Sequence, residues 1–166
     1  MDFKRIFSEL NKRDIKYLVA GGIAVNLYGF VRATSDLDIM LRMSDENVGK
    51  LMQLFQELGF KPRVPVNIHD FADKSKRGKW IKEKGMIVFS VYNPKNEMEG
   101  IDIMIEEFID FNKAYEKRVT LMNQGVKVPV VSIEDLIRLK VHAGRVRDLS
   151  DVEALKEIIN ASKKGK

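Results

Sequence analysis

Three aspartates stand where carboxylates are least expected. Asp36 and Asp38 flank a single leucine in "SDLDIML", and Asp102 sits in "GIDIMIEE". Both stretches otherwise alternate with aliphatic residues and read as strands. Carboxylates are poor strand formers, and burying one without a partner is costly. Successive strand side chains point to opposite faces, so Asp36, Asp38 and Met40 share one face, and Leu37, Ile39 and Leu41 share the other. Carboxylates this close repel unless a cation joins them. Hard oxygen donors favour Mg²⁺, which takes one or two carboxylates plus substrate phosphates. With Asp102 from a second strand, the set suits a two-metal site for in-line phosphoryl displacement. The alternative is structural, with Asp36 ending a strand and Asp38 and Asp102 paired to Arg or Lys.

A glycine pair precedes them. Gly21-Gly22 follows the apolar run Tyr17–Ala20 and opens a segment of helical spacing through Ile23, Val25 and Leu27. A strand-to-helix junction with free N–H groups attracts phosphate, and side chains there would block its approach. A tight turn is the plainer alternative. Neither the P-loop nor the G-x-G-x-x-G pattern is present.

The remaining elements must position these residues. Helices are expected over Asp2–Lys12, from Ser44 to Gly59, from Asp110 through Arg118, from Ser132 onward, and from Asp148 through Ile159. Strands are expected at Tyr17–Ala20, Asp36–Leu41 and "IDIMIEE", with a hairpin around Asn123-Gln124-Gly125. "KGKWIKEKG" and "MIVFSVYN" read as two strands joined at Gly85, "VNIHDFAD" as a short strand, and "PKNEMEG" as a turn. The fold class is α/β (α+β), one mixed sheet flanked by helices. Residues 1–166 are expected to form a single domain, with C-terminal helices over about 132–161 and a basic tail.

Composition narrows the function. The chain has 166 residues, no cysteine and a net charge of +5, of which Lys163, Lys164 and Lys166 supply three. Thiolate metal sites and disulfides are excluded. The modest charge on the body argues against an obligate nucleic-acid coat. No apolar run approaches the ~20 residues of a membrane span, so a cytoplasmic location without membrane contact is expected.

Glycine pair, helix, D-x-D strand and a later Asp together resemble the DNA polymerase β-like nucleotidyltransferase superfamily. "GFVRATSDLDIML" is similar to its bacterial branch of abortive-infection toxin and lincosamide-type nucleotidyltransferases. "LIRLKVHAGRVRDLSDVEALKEI" resembles that branch's closing helices, with Arg147 where a lysine is common. The resemblance implies that Gly21 and Gly22 hold a triphosphate and that Asp36, Asp38 and Asp102 bind two Mg²⁺ ions, with Mn²⁺ as the alternative. It implies transfer of a nucleoside monophosphate from an NTP to a hydroxyl acceptor, releasing pyrophosphate. Asp102 would help to deprotonate that acceptor, which is left open between a small molecule, a protein side chain and an RNA end. A non-catalytic nucleotide- or partner-binding protein, including one half of a toxin–antitoxin pair with a partner protein, is the second reading.

Other residues carry two readings each. Arg32 and Thr34 flank the D-x-D strand and orient phosphate or a second carboxylate, or Arg32 is simply solvated. Lys140 reaches phosphate or lies on the surface. Arg147, Asp148 and Asp151 form a helix cap and ion pair, or Arg147 touches substrate. Lys74, Lys76, Arg77, Lys79, Lys82 and Lys84 around Trp80 track RNA, or form a solvated hairpin with one core Trp. His69 and His142 lack ligand spacing and read as ordinary polar residues.

Overall fold

The computed structural model describes residues 2–164. The first helix, α1 (Phe3–Lys12), is capped by Asp2, whose carboxylate accepts the Arg5 N–H, and buries Ile6, Phe7 and Leu10. It leads into β1 (Tyr17–Val19), which runs straight into the short α2 (Gly21–Leu27). After a loop come β2 (Leu37–Leu41) and α3 (Asp45–Glu57), the latter capped by Ser44. Beyond β3 (Lys61–Pro62) the chain makes a 3₁₀ turn, Ile68–Ala72, then α4 (Lys74–Lys84), β4 (Val88–Asn93) and β5 (Asn96–Met104). The remainder is α5 (Phe111–Glu116), the hairpin β6 (Val119–Asn123) and β7 (Val126–Val130), α6 (Ile133–Ala143) and α7 (Val146–Lys164).

All seven strands join one sheet in the order β3-β4-β5-β2-β1-β7-β6. Strand β2 runs parallel to β5, and β1 parallel to β7; the other neighbours are antiparallel. The expected α/β class with one mixed sheet is therefore observed. Alternation works as read: Leu37, Ile39, Ile101 and Ile103 are sealed in the core, so Asp38 and Asp102 are left to the opposite face.

Four local expectations are corrected. The "KGKWIKEKG" segment is helix α4, not a strand. Asp73 accepts the Ser75 and Lys76 N–H groups, and Gly85 ends the helix in the left-handed conformation at φ 58°. Within it, Trp80 stacks on Phe89 at 5.7 Å, and Arg77 donates to the Phe71 carbonyl at 2.6 Å. "VNIHDFAD" is the 3₁₀ turn, capped by Asn67 and pinned by Phe71 against Phe89 at 4.5 Å. Strand β5 begins at Asn96, so the turn shrinks to the residues before it. The last helix opens at Val146, with Asp148 in its first turn accepting the Arg145 N–H.

Candidate active site

Asp38 and Asp102 are register partners on the parallel strands β2 and β5. Their carboxylates line one cleft, together with Asp36 just ahead of β2. Three glycines make room for this acidic segment. Gly21 has φ 59°, and a Cβ there would lie 1.9 Å from an Asp38 carboxylate oxygen. A Cβ on Gly22 would meet the Thr34 hydroxyl at 2.6 Å and the Arg32 guanidinium at 2.9 Å. A Cβ on Gly100 would lie 2.4 Å from an Asp36 oxygen. The close approach that demands glycine is thus already present between the α2 junction and the D-x-D segment.

The pair carries electrostatic tension. Burial, followed by the neighbouring Asp102 carboxylate, pushes Asp38 up to about 6, against the opposing pull of Lys140, the Gly22 N–H and Arg145. Asp36 is differently placed: it accepts the Ser35 hydroxyl at 3.1 Å and lies over Gly100.

Helices α6 and α7 close the cleft. Lys140 is buried, and its ammonium lies 3.0 Å from Asp148 and 2.8 Å from Asp151. Arg32 reaches the same Asp151 through Nε at 2.8 Å and donates a second contact at 2.9 Å. The Asn26 side chain brackets the Arg32 backbone, accepting its N–H and donating to its carbonyl, each at 2.9 Å. Burial alone would raise Asp151, but its hydrogen bonds to Lys140 and Arg32 outweigh that and hold it below the usual carboxylate range. Arg32 is therefore not a solvated side chain, and Lys140 is not a surface one. Asp148 and Asp151 are the cap and ion pair of the structural alternative.

The residues expected to hold metal or substrate all line this one cleft: Gly21, Gly22, Arg32, Thr34, Asp36, Asp38, Asp102, Lys140 and Arg147. The basic α4 segment does not, and its Lys76 is paired with Asp70. The cleft also holds His142, and Ile87, Glu106, Phe108 and Arg145, which the sequence does not single out. The His142 ring stacks on Phe108 at 3.7 Å. The aromatic set among acids in "EEFID" was the available signal.

The family described as "Nucleotidyltransferase of unknown function (DUF6036)" matches the chain over residues 2–162. The chain belongs to that family. As a family member it is a nucleotidyltransferase, and the polymerase β-like resemblance holds. Solved structures share its fold. One is ANT(2")-Ia in complex with adenylyl-2"-tobramycin, at 15% identity and TM-score 0.63, covering 96% of this chain and 88% of that one. Another is the lincosamide antibiotic adenylyltransferase LnuA, lincomycin-bound, at 19% identity and TM-score 0.58, covering 93% and 94%. A third is an antigenic nucleotidyltransferase-like protein from Paracoccidioides brasiliensis, at 19% identity and TM-score 0.55, covering 95% and 73%. No curated protein sequence matches the chain. Among the described residues, no helix is long and apolar enough to cross a membrane.

The cleft suits a divalent cation in its donor chemistry. Asp38 and Asp102 are adjacent hard donors whose repulsion a cation relieves. Among the described residues no group of three or more acidic, histidine or cysteine side chains forms a ready metal cage. Mg²⁺ does not need one, since it commonly completes its shell with water and substrate phosphate.

Proposed function

We propose that this nucleotidyltransferase moves a nucleoside monophosphate from an NTP to a hydroxyl acceptor with Mg²⁺, or Mn²⁺ in its place. The observation that carries this reading is the Asp38–Asp102 register pair, facing the junction at Gly21 and Gly22, with the Asp38 carboxyl raised by burial and by its neighbour. Asp38 and Asp102 would hold the ions, with Asp36 joining them. When bound, the ions neutralise the charge on the phosphates. The backbone at Gly21 and Gly22 receives the triphosphate, helped by Thr34 and by Arg145 and Arg147 from the α6–α7 corner. Arg32 and Lys140 act through Asp151 and Asp148 to fix that corner over the cleft. The acceptor oxygen bonds to the α-phosphorus, the bond to the β-phosphate oxygen breaks, and pyrophosphate leaves. Asp102 takes the hydroxyl proton.

Incubation with each α-phosphate-labelled NTP, Mg²⁺ and a cell extract tests this directly. Label in a new product, with pyrophosphate released in equal amount, is the expected result. Intact NTP throughout contradicts it. One observation favours the second reading, nucleotide binding without catalysis: Asp36 lies over Gly100 and is not gathered with the other two into a cage. A cytoplasmic location and a partner protein of a toxin–antitoxin pair rest on sequence alone. Co-purification with the product of the neighbouring gene tests the partner.

A further inference from the structure

Past Asp102 the cleft changes character. At its end β5 adds Met104 to the cleft and Glu106 follows just beyond the strand, with Ile87 alongside from the approach to β4. The stacked rings of Phe108 and His142 lie within 14° of parallel at this end. Ile87 is 55% exposed and Phe108 42% exposed. Large apolar side chains left open inside a cleft mark a surface that an apolar ligand covers. A further recess of ≈ 60 Å³ adjoins the cleft, lined by Met104, Phe108 and Leu139 in common with it and also by Met43 and Phe111. It has room for an apolar substituent.

Charge at this end is one-sided. Arg145 and Arg147 come from the α6–α7 corner, and Arg32 and Lys140 are committed to Asp151 and Asp148. The β4–β5 side contributes Asp102 and Glu106 alone as charged groups. The Glu106 carboxylate makes no ion pair among the described residues. No lysine of α4 lines the cleft, so the basic segment offers no track leading a polyanion into it.

We propose that the acceptor is a small hydroxyl compound with an apolar, ring-bearing face and no negative charge. It seats on Ile87, Met104 and the Phe108–His142 pair, with Glu106 selecting an amine at its edge. This inference rests on the nucleotidyl-transfer reading and narrows its acceptor. The step is the one above: the compound's oxygen bonds to the α-phosphorus of the NTP, pyrophosphate departs, and the hydroxyl proton passes to Asp102.

The test offers α-phosphate-labelled NTPs, Mg²⁺ and three matched phenyl alcohols: phenylethanolamine as cation, styrene glycol as neutral compound and mandelate as anion. An oligoribonucleotide with a free terminal hydroxyl is the fourth acceptor. Transfer should favour the amine over the anion by about tenfold or more, with the diol between. Glu106→Lys should invert that order. Phe108→Ala should lower transfer to all three by about tenfold, and both variants should keep the rise in melting temperature caused by Mg²⁺-NTP. Preference for mandelate or the oligoribonucleotide overturns the proposal. So does indifference to both substitutions, or label on none of the four compounds while NTP still stabilises the protein. If NTP neither stabilises the protein nor is consumed, the nucleotidyl-transfer reading itself fails, and that outcome is distinct from a wrong acceptor.

Discussion

At the scale of single residues, the cleft stores repulsion. The Asp38 carboxyl titrates near 6 in the folded protein, above the ~3.9 of an exposed aspartate. The folded state therefore binds more protons than the unfolded one between about pH 4 and 6, and stability from this group falls as pH rises through that window. The parent without ligand should gain of the order of 1–2 kcal/mol on acidification across it, after screening at the open mouth of the cleft. Asp38→Asn should remove that gain and melt no lower than the parent at pH 7, as pH-dependent thermal melts would show. A marked drop for Asp38→Asn at pH 7 would mean that the carboxylate is structurally paired. Gly21 gives a second residue-scale test. Gly21→Ala meets both a left-handed backbone and the Asp38 oxygen 1.9 Å away, and should cost about 2–4 kcal/mol in denaturant unfolding. Because the Asp38 Cβ would itself lie 2.6 Å away, the matching background is Asp38→Gly, in which only the backbone part, about 1–2 kcal/mol, should remain. Equal costs in both backgrounds would contradict the contact.

At the scale of elements, α7 is bound to the sheet side of the molecule through one carboxylate. Asp151 is fully buried and faces two cations, Arg32 and Lys140. Asp151→Asn leaves Arg32 without its carboxylate and Lys140 with Asp148 alone, and should cost about 3–5 kcal/mol, measured by denaturant unfolding at neutral pH. Because Asp151 is held below its ordinary value, its contribution is complete at neutral pH and is lost as pH falls below the ordinary carboxylate range. A loss under 1 kcal/mol would show that α7 docks by Val152 and Leu155 alone. Such a link was not legible in the sequence, since Arg32 and Asp151 are 119 residues apart and nothing in either segment names the other. Strands β2 and β5 were legible from alternation, and α3 and α6 from their serine caps. Their being parallel neighbours, which sets Asp38 beside Asp102, follows from topology and not from either segment. Helix α4 is not legible in the sequence because its lysines mask the period; few of its side chains pack inward, and its ends rest on Asp73 and Gly85. Asp73→Ala should therefore cost about 1 kcal/mol and fray that helix in hydrogen exchange.

At the scale of the whole molecule, one sheet divides the labour. One face buries Leu37, Ile39, Ile101 and Ile103. The other presents carboxylates beneath a roof of α6 and α7, with cations from the α6–α7 corner and an apolar wall on the β4–β5 side. Such a cleft should be stabilised by what it binds. At Mg²⁺-NTP about 100-fold above Kd, binding adds ~2.7 kcal/mol, or roughly 5–10 °C in Tm for a chain of this size. The central claim is that Asp38 and Asp102 face one another for a metal-bound nucleotide and not for the fold. The most direct measurement is a set of thermal melts of the parent, Asp38→Asn and Asp102→Asn, each alone, with NTP in chelator, and with Mg²⁺-NTP. The account predicts that only the parent with Mg²⁺-NTP rises, while both variants alone melt at or above the parent. Variants that melt well below the parent, together with a parent indifferent to Mg²⁺-NTP, would contradict it.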